Sequence, residues 1–511
     1  MTSRLEIVPK NVLAATEGYG SLLTLLLIST ALTTFAVSWI CNLYFHPLSQ
    51  FPGPLLGRAS LLWRFIHTSS GKIHLSIQEL HKKHGLIVRV SPNELSFASV
   101  ESWKAIYGHS SAGHHPTPIK APFYDIYGAG FNRLCIGSER NPVKHAEMRK
   151  MLSPAFSQRS LLEQEAIVSS TMDDFVRVIG EEGGPHTAGI NMTKWTEMLA
   201  FDILGEMAFG ESFHSVENRK PHFWSEIIEE HVYLVTVADN LSRLGALATM
   251  LKWLIPSRMV VQNQNSRYSR NQVEKRLASK SSRKDFLTLL VDKVRNGEVE
   301  KEELTAHVST LAIAGGETIS TFLAGTTCFL LQHPDKLRRL VDEIRGAFGS
   351  FEDIHAQPAQ QLKYLQAVVN EGLRLYPPGP QGFPRVSPGF ELHGHYIPAG
   401  TEIYTSAWAG AVMHDKKYFA EPMEFVPERW LDPDSQDVKE ASQPFSLGPR
   451  GCLGRNFAYM EISLILAKML WRYDLELVNK DIKWLDEGKV HIMWWKPSLF
   501  VRFHERSEGK E

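Results

Sequence analysis

The chain is 511 residues long, 43% hydrophobic and 22% charged, a balance that excludes global disorder and supplies a large buried core. Its 55 basic residues against 56 acidic ones leave no polybasic footprint, which excludes nucleic acid as a partner. Four cysteines, Cys41, Cys135, Cys328 and Cys452, form no CxxC or CxH pair, so structural zinc, four-thiolate iron-sulfur clusters and a disulfide framework have no ligand set.

From Gly18 to Gly57 there is no Asp, Glu, Lys or Arg, and the most apolar part runs from Leu22 to Ile40. About 20 apolar residues are what a helix needs to cross the hydrocarbon of a bilayer. A cleaved signal peptide is the rival reading, because "AVS" at Ala36 has the small residues such cleavage favours. The anchor reading is preferred: the run is long, the charges before it cancel (Arg4, Glu6, Lys10, Glu17), and Trp39 and Tyr44 suit a membrane interface. The expected organisation is a lumenal tail over 1–20, a transmembrane anchor over 21–44, a proline-rich hinge over 45–54 and one body over 55–511.

Within the body, "LIVRVSPNELSFAS" alternates around Ser91-Pro92-Asn93 and predicts a hairpin. Gly108 to Gly137 is rich in Gly, Pro, His and aromatics without periodicity, which predicts a functional loop. Apolar residues from Val308 to Leu330 recur at helical spacing until His333-Pro334, predicting one long buried helix. In its middle stands "AGGETIS", where Gly315 and Gly316 each cost about 1 kcal/mol relative to alanine. Two explanations are open: close helix packing, or a groove opened for a flat ligand beside an acid and hydroxyl at Glu317 and Thr318 that relay protons. A second helix over Leu362 to Leu375 holds Glu371 and Arg374 three apart. Short strands are expected over 383–411, and Arg429 lies in "FVPERW".

The stretch "FSLGPRGCLGRN" then isolates one cysteine among glycines. A thiolate binds iron, and as the axial ligand of haem it favours O–O cleavage. Glycines allow the backbone to approach a porphyrin, and the helical pattern resuming after Gly454 puts the sulfur near a helix N-terminus, whose partial charge favours a thiolate. Arg450 is within reach of an anionic propionate. For a lone cysteine the ordinary reading is a small buried hydrophobe, which suits Cys135 and Cys328.

The run Phe445-x-x-Gly448-x-Arg450-x-Cys452-x-Gly454 resembles the haem-binding signature of the cytochrome P-450 monooxygenases. "AGGET" is similar to that family's oxygen-activation motif, Glu371, Arg374 and Arg429 to its buried Glu-Arg-Arg cluster, and His145-x-x-x-Arg149 to its propionate-binding helix. The anchor and proline segment resemble the microsomal branch, and "LYFHPLSQFPGP" and "AFGESF" look most like fungal members of secondary metabolism. Two positions depart from the pattern: His145 stands where tryptophan is common, and Ile319 where a second hydroxyl is common.

The resemblance implies a mainly α fold with small β-sheets (α+β), the cytochrome P-450 fold, preceded by a transmembrane helix. It implies haem b with Cys452 as the axial iron ligand, Phe445 and Gly454 beside the cofactor, and propionates held by Arg450, Arg149, His145 and Arg385. Thr318 and Glu317 would deliver protons to dioxygen. With no GxGxxG after a strand, electrons are expected from a separate NADPH-cytochrome reductase, with cytochrome b5 as a second donor. The expected setting is the endoplasmic reticulum membrane, single-pass, with the body in the cytosol, and the expected substrate is a lipophilic small molecule. An isomerase or dehydratase that needs no dioxygen, and a haem carrier without turnover, are the alternative functions.

Overall fold

A computed structural model describes residues 10–109, 116–128, 130–245, 262–279, 285–408 and 412–506. The sequence also leads one to expect substrate-lining residues over 108–137 and 223–251, and parts of both segments lie outside the described residues.

Helix α1 (Lys10–Ile40) begins eleven residues before the expected anchor start and continues into a π-helical turn, Cys41–Phe45. Thr24–Phe45 is long and apolar enough to cross a membrane and is not covered by the body. The proline segment behind it is packed rather than free. Leu48 and Phe51 are buried with Phe97 and Trp103 in one apolar cluster, and the Arg89 amide donates to Pro52 O at 2.8 Å.

The expected hairpin is present as β1 (Ile87–Ser91) and β2 (Glu94–Phe97). It supplies two strands of a five-stranded sheet with β3 (Ile119–Lys120), β4 (Arg385–Val386) and β5 (Glu402–Thr405), in the order β1-β2-β5-β4-β3. Only the β2–β5 pairing is parallel, Glu94 facing Glu402. This sheet brings Lys120 opposite Arg385, two residues 265 positions apart in the sequence.

The rest of the body is helical. Asn141 caps α2 (Pro142–Leu152), its Oδ1 accepting from the amides of Val143 and Lys144, with Pro142 preset at the first turn. Helix α3 (Met192–Phe209) is buried on nearly every side, and α4 (Phe223–Ser242) packs near it. The long helix is α5 (Lys301–Gln332), ending at His333 as its periodicity predicts. A Cβ on Gly316 would come within 2.7–2.9 Å of the Phe201 ring, and one on Gly315 within 3.1 Å of Leu204, both on α3. The two glycines therefore let α3 and α5 pack closely. For Gly316 the groove alternative is corrected, since its missing side chain points at the Phe201 ring, whereas Gly315 stays partly accessible beside Ala314.

Helix α6 (Lys363–Leu375) ends before the diproline of "YPPGP". The Arg374 guanidinium grips both Glu371 oxygens, at 2.9 and 2.8 Å, and Arg429 reaches the same carboxylate at 3.1 Å. Trp430 Nε1 and the Val426 amide complete the shell, each at 2.9 Å, so a fully buried carboxylate has no unmet demand. Helix α7 (Arg455–Arg472) follows the cysteine loop, and β6 (Lys489–His491) with β7 (Met493–Trp495) makes a late hairpin that packs near α5.

Candidate active site

The cysteine loop is held from three directions. Gly448 adopts φ +65°, and a Cβ there would lie 2.3 Å from Tyr107 O, so only glycine fits. The Cys452 amide donates to Phe445 O at 2.8 Å, closing the loop on itself, and Arg149 of α2 donates to Gly451 O at 2.7 Å. Phe445 lies 5.4 Å from the Tyr459 ring at the start of α7. Leu453 packs into the same apolar clusters as Leu311, tying the loop to α5.

Cys452 is accessible to solvent, yet surrounded closely enough that burial raises its thiol above the ordinary range. The Gly454 amide and the charges of Arg149 and Arg455 act in the opposite sense and favour the thiolate. An accessible but surrounded sulfur faces an interior space. On α5, accessibility returns at Ala314 and Thr318, four residues apart on one face, while Ile313, Gly316, Glu317 and Ile319 are buried. Gly454 has room beside it as well, since a Cβ there would touch nothing within 4 Å.

The charges around this space fit a dianionic porphyrin. Lys120, Arg149, Arg385 and Arg450 converge with His145, and among the described residues none of these cations is ion-paired with a carboxylate. They bond to neutral oxygens instead: Arg450 to the carbonyls of Glu139 and Arg140, both at 2.8 Å, Lys120 to those of Ile136 and Gly137 at 2.8 and 2.6 Å, and Arg385 to the Tyr124 hydroxyl at 3.1 Å. Burial and then Arg385 pull Arg450 down to about 10, and burial with Arg450 and Arg385 holds Lys120 well below its usual range. His145 is pushed down to about 3 by burial and by the same cations, so it is neutral with one ring N–H to donate. Mutually repelling cations, with Glu139 acting on Lys120 and Arg450 but ion-paired to none of them among the described residues, are the complement of carboxylates such as haem propionates.

Lys120 escapes sequence reading, because it lies in the aperiodic loop with no motif around it. Thr318 donates to Ala314 O at 2.5 Å, leaving its oxygen free to accept a further hydrogen bond. Glu317 is buried on the flank of α5, its Oε2 accepting from Lys496 at 3.1 Å. Lys496 is the second missed residue. Its one signal is a lysine inside the apolar run "HIMWWKPSLF".

A cysteine loop ahead of a helix, a cation cradle beside it and an acid–threonine pair on the long helix define a haem-thiolate enzyme. The cytochrome P-450 family model matches residues 50–503, and the chain belongs to that family, with haem as its cofactor and the cysteine thiolate as axial ligand to iron. It is 62% identical to cytochrome P-450 monooxygenase BOT4 of Botryotinia fuckeliana, over 95% of this chain and 92% of that protein. It is 56% identical to cytochrome P-450 monooxygenase ORF9 of Penicillium roqueforti, over 93% of each. The trichothecene C-4 hydroxylase of Trichoderma arundinaceum is 35% identical over 95% of this chain and 98% of its own length. The chain is an oxidoreductase of the monooxygenase type.

Proposed function

We propose that this monooxygenase inserts one oxygen atom of dioxygen into a lipophilic small molecule of fungal secondary metabolism. The observation that carries the reading is the pairing of the Cys452 loop with an intact Glu317–Thr318 pair on α5, beside the accessible face at Ala314. When bound, the haem supplies the redox chemistry that activates dioxygen. The chain's own residues do the rest. Cys452 is the iron ligand, steadied by the Gly454 amide. Arg149, Arg450, Lys120, Arg385 and His145 anchor the propionates and thereby orient the ring. Phe445 holds the loop through its carbonyl, which accepts from the Cys452 amide.

Thr318 holds a proton at its hydroxyl on the face of α5 turned toward the interior space, and Glu317, one residue before it, is the carboxylate that takes up and passes on the proton that replenishes it. The accessible face of α5 is apolar at Ala314, which suits a lipophilic substrate. Names of relatives such as trichothecene C-4 hydroxylase support a hydroxylation on a fungal metabolite. Electrons come from a separate NADPH-cytochrome reductase, with cytochrome b5 as an alternative donor. Helix α1 anchors the body on the cytosolic side of the endoplasmic reticulum.

The test is the ratio of product to NADPH consumed, with reductase and extracts of the producing fungus as the substrate source. Thr318→Ala deletes one hydroxyl and should keep the haem and its thiolate spectrum, continue to consume NADPH, and release hydrogen peroxide at the expense of product. An unchanged ratio rejects the role of Thr318. Product formed without dioxygen supports an isomerase or dehydratase instead, and no turnover with any extract supports a carrier.

A further inference from the structure

Lysine is seldom fully buried, because its ammonium needs water or anions around it. Lys496, next to the end of β7, has a side chain with no accessible surface. Its Nζ lies 3.2 Å from Glu197 Oε1 on α3 and 3.1 Å from Glu317 Oε2 on α5. Lys194, one turn earlier on α3, donates to Glu197 Oε2 at 2.9 Å and stands 3.6 Å from Glu229 on α4. The Lys194 side chain is 46% exposed, so the row of charges runs from the flank of Thr318 to solvent.

Helices α3 and α5 and the late hairpin therefore meet at the Lys496 ammonium, and α4 joins the row through Lys194. Burial pushes the Glu317 carboxyl above its ordinary range; Lys496 opposes this, while Glu197 and Glu229 reinforce it. Burial acts downward on Lys496, but Glu317 and Glu197 outweigh it and keep the amine above its usual range. Glu197 ends below the ordinary range, because Lys496 and Lys194 together outweigh its burial. One atom is left over: Glu317 Oε1 is buried without a hydrogen-bond partner among the described residues.

We propose that Lys496 is a positioning residue for Glu317: sharing its ammonium with Glu197, it keeps Glu317 a carboxylate tethered through Oε2, with Oε1 free to exchange a proton beside Thr318. The proposal rests on the acid–threonine reading of the site. Without the ammonium, two carboxylates would face each other in a desolvated site, and one would have to take up a proton. That one is Glu317, since Lys194 still holds Glu197. Lys496 thus sets the pH at which Glu317 changes protonation.

Infrared difference spectroscopy of the full-length, detergent-solubilised protein reads this without substrate, NADPH or dioxygen. The signal is the C=O stretch of a protonated buried carboxyl group, assigned by its loss in a Glu317→Gln background. That subtraction also removes the contribution of Glu461, a buried acid of α7 pushed up to about 8 by burial. Lys496→Met should raise the pH at which the Glu317 band develops by at least about 2 units, so that it is present at neutral pH, and Lys496→Arg should restore the wild-type titration. Glu197→Gln keeps a paired lysine in place and so tests the idea even if Lys496→Met does not fold. It gives Glu317 the whole ammonium, and the Glu317 band should develop at lower pH than in wild type. A Glu317 titration unmoved by Glu197→Gln, or a new Lys496→Met band that survives Glu317→Gln, overturns the proposal. Glu317 titrating as stated in a protein whose product yield ignores Thr318 supports the positioning role and rejects the acid–threonine reading.

Discussion

Replacing Arg374 by alanine removes five hydrogen bonds from a site with no accessible side-chain surface. Two go to Glu371, and three go to the carbonyls of Met413, Pro422 and Glu424 at 2.7, 2.7 and 3.1 Å. Breaking a buried ion pair from one side costs about 3–5 kcal/mol, and each carbonyl stripped of its donor adds up to about 1 kcal/mol or more. Glu371 keeps Arg429, Trp430 and the Val426 amide, which holds the total to roughly 4–6 kcal/mol. Whole domains are stable by only about 5–15 kcal/mol, so Arg374→Ala should accumulate as haem-free, largely unfolded protein. Arg374→Lys keeps the charge but not the planar fork, and should lose roughly half as much. Arg177, half exposed between Asp174 and Glu181, is the control: its alanine variant should change stability by less than about 1 kcal/mol. Haem content per chain and the urea midpoint of the solubilised protein measure all three. An Arg374→Ala protein with wild-type haem content and a midpoint near that of Arg177→Ala would refute the reasoning.

Gly316→Ala gains about 1 kcal/mol of helix propensity but drives a methyl into the Phe201 ring. Overpacking of about 1–3 kcal/mol should win, so the variant should unfold at lower urea, and a higher midpoint would contradict the close-packing explanation. Burial holds His74 and His414 down to about 3 and His81, His231 and His491 down to about 4. These rings are neutral when folded and protonate near 6.5 when unfolded, so the stability they contribute is complete above pH 6.5 and drains away as pH falls toward 3–4. His74, which has no hydrogen-bond partner at either nitrogen among the described residues, should account for about 1.4 kcal/mol per pH unit in that window, and His74→Phe should flatten the slope by that amount. An identical pH slope in His74→Phe would exclude it. Protease added to sealed microsomes should degrade the body and spare α1. A protected body, or a mature chain starting near Ser38, would reject the cytosolic anchor.

Local signals carried far in this chain. The α5 periodicity, the β1–β2 hairpin, the helix carrying Glu371 and Arg374, and the restart of helix after Gly454 all follow from spacing and turn residues, and all are present. The Phe445–Gly454 loop was legible through its resemblance to a family's haem-binding signature, since spacing alone leaves a lone cysteine open to other readings. Long-range pairing was not legible. Lys120 meets Arg385 only because β3 pairs with β4, and Lys496 meets Glu317 only because the late hairpin folds back on α5. The same limit explains the segment over 45–54: prolines announced a stiff turn, but nothing local tells that Leu48 and Phe51 enter the core. Gly315 and Gly316 were ambiguous for a related reason, since a missing side chain does not say what fills its place.

The assignment of Cys452 supports every other step, and the carbon monoxide spectrum of the reduced protein reads it alone. Wild type should show the red-shifted Soret band of thiolate-ligated haem, and Cys452→Ala should not show it. A Cys452→Ala protein that keeps this band would place the iron ligand elsewhere and contradict the site described above.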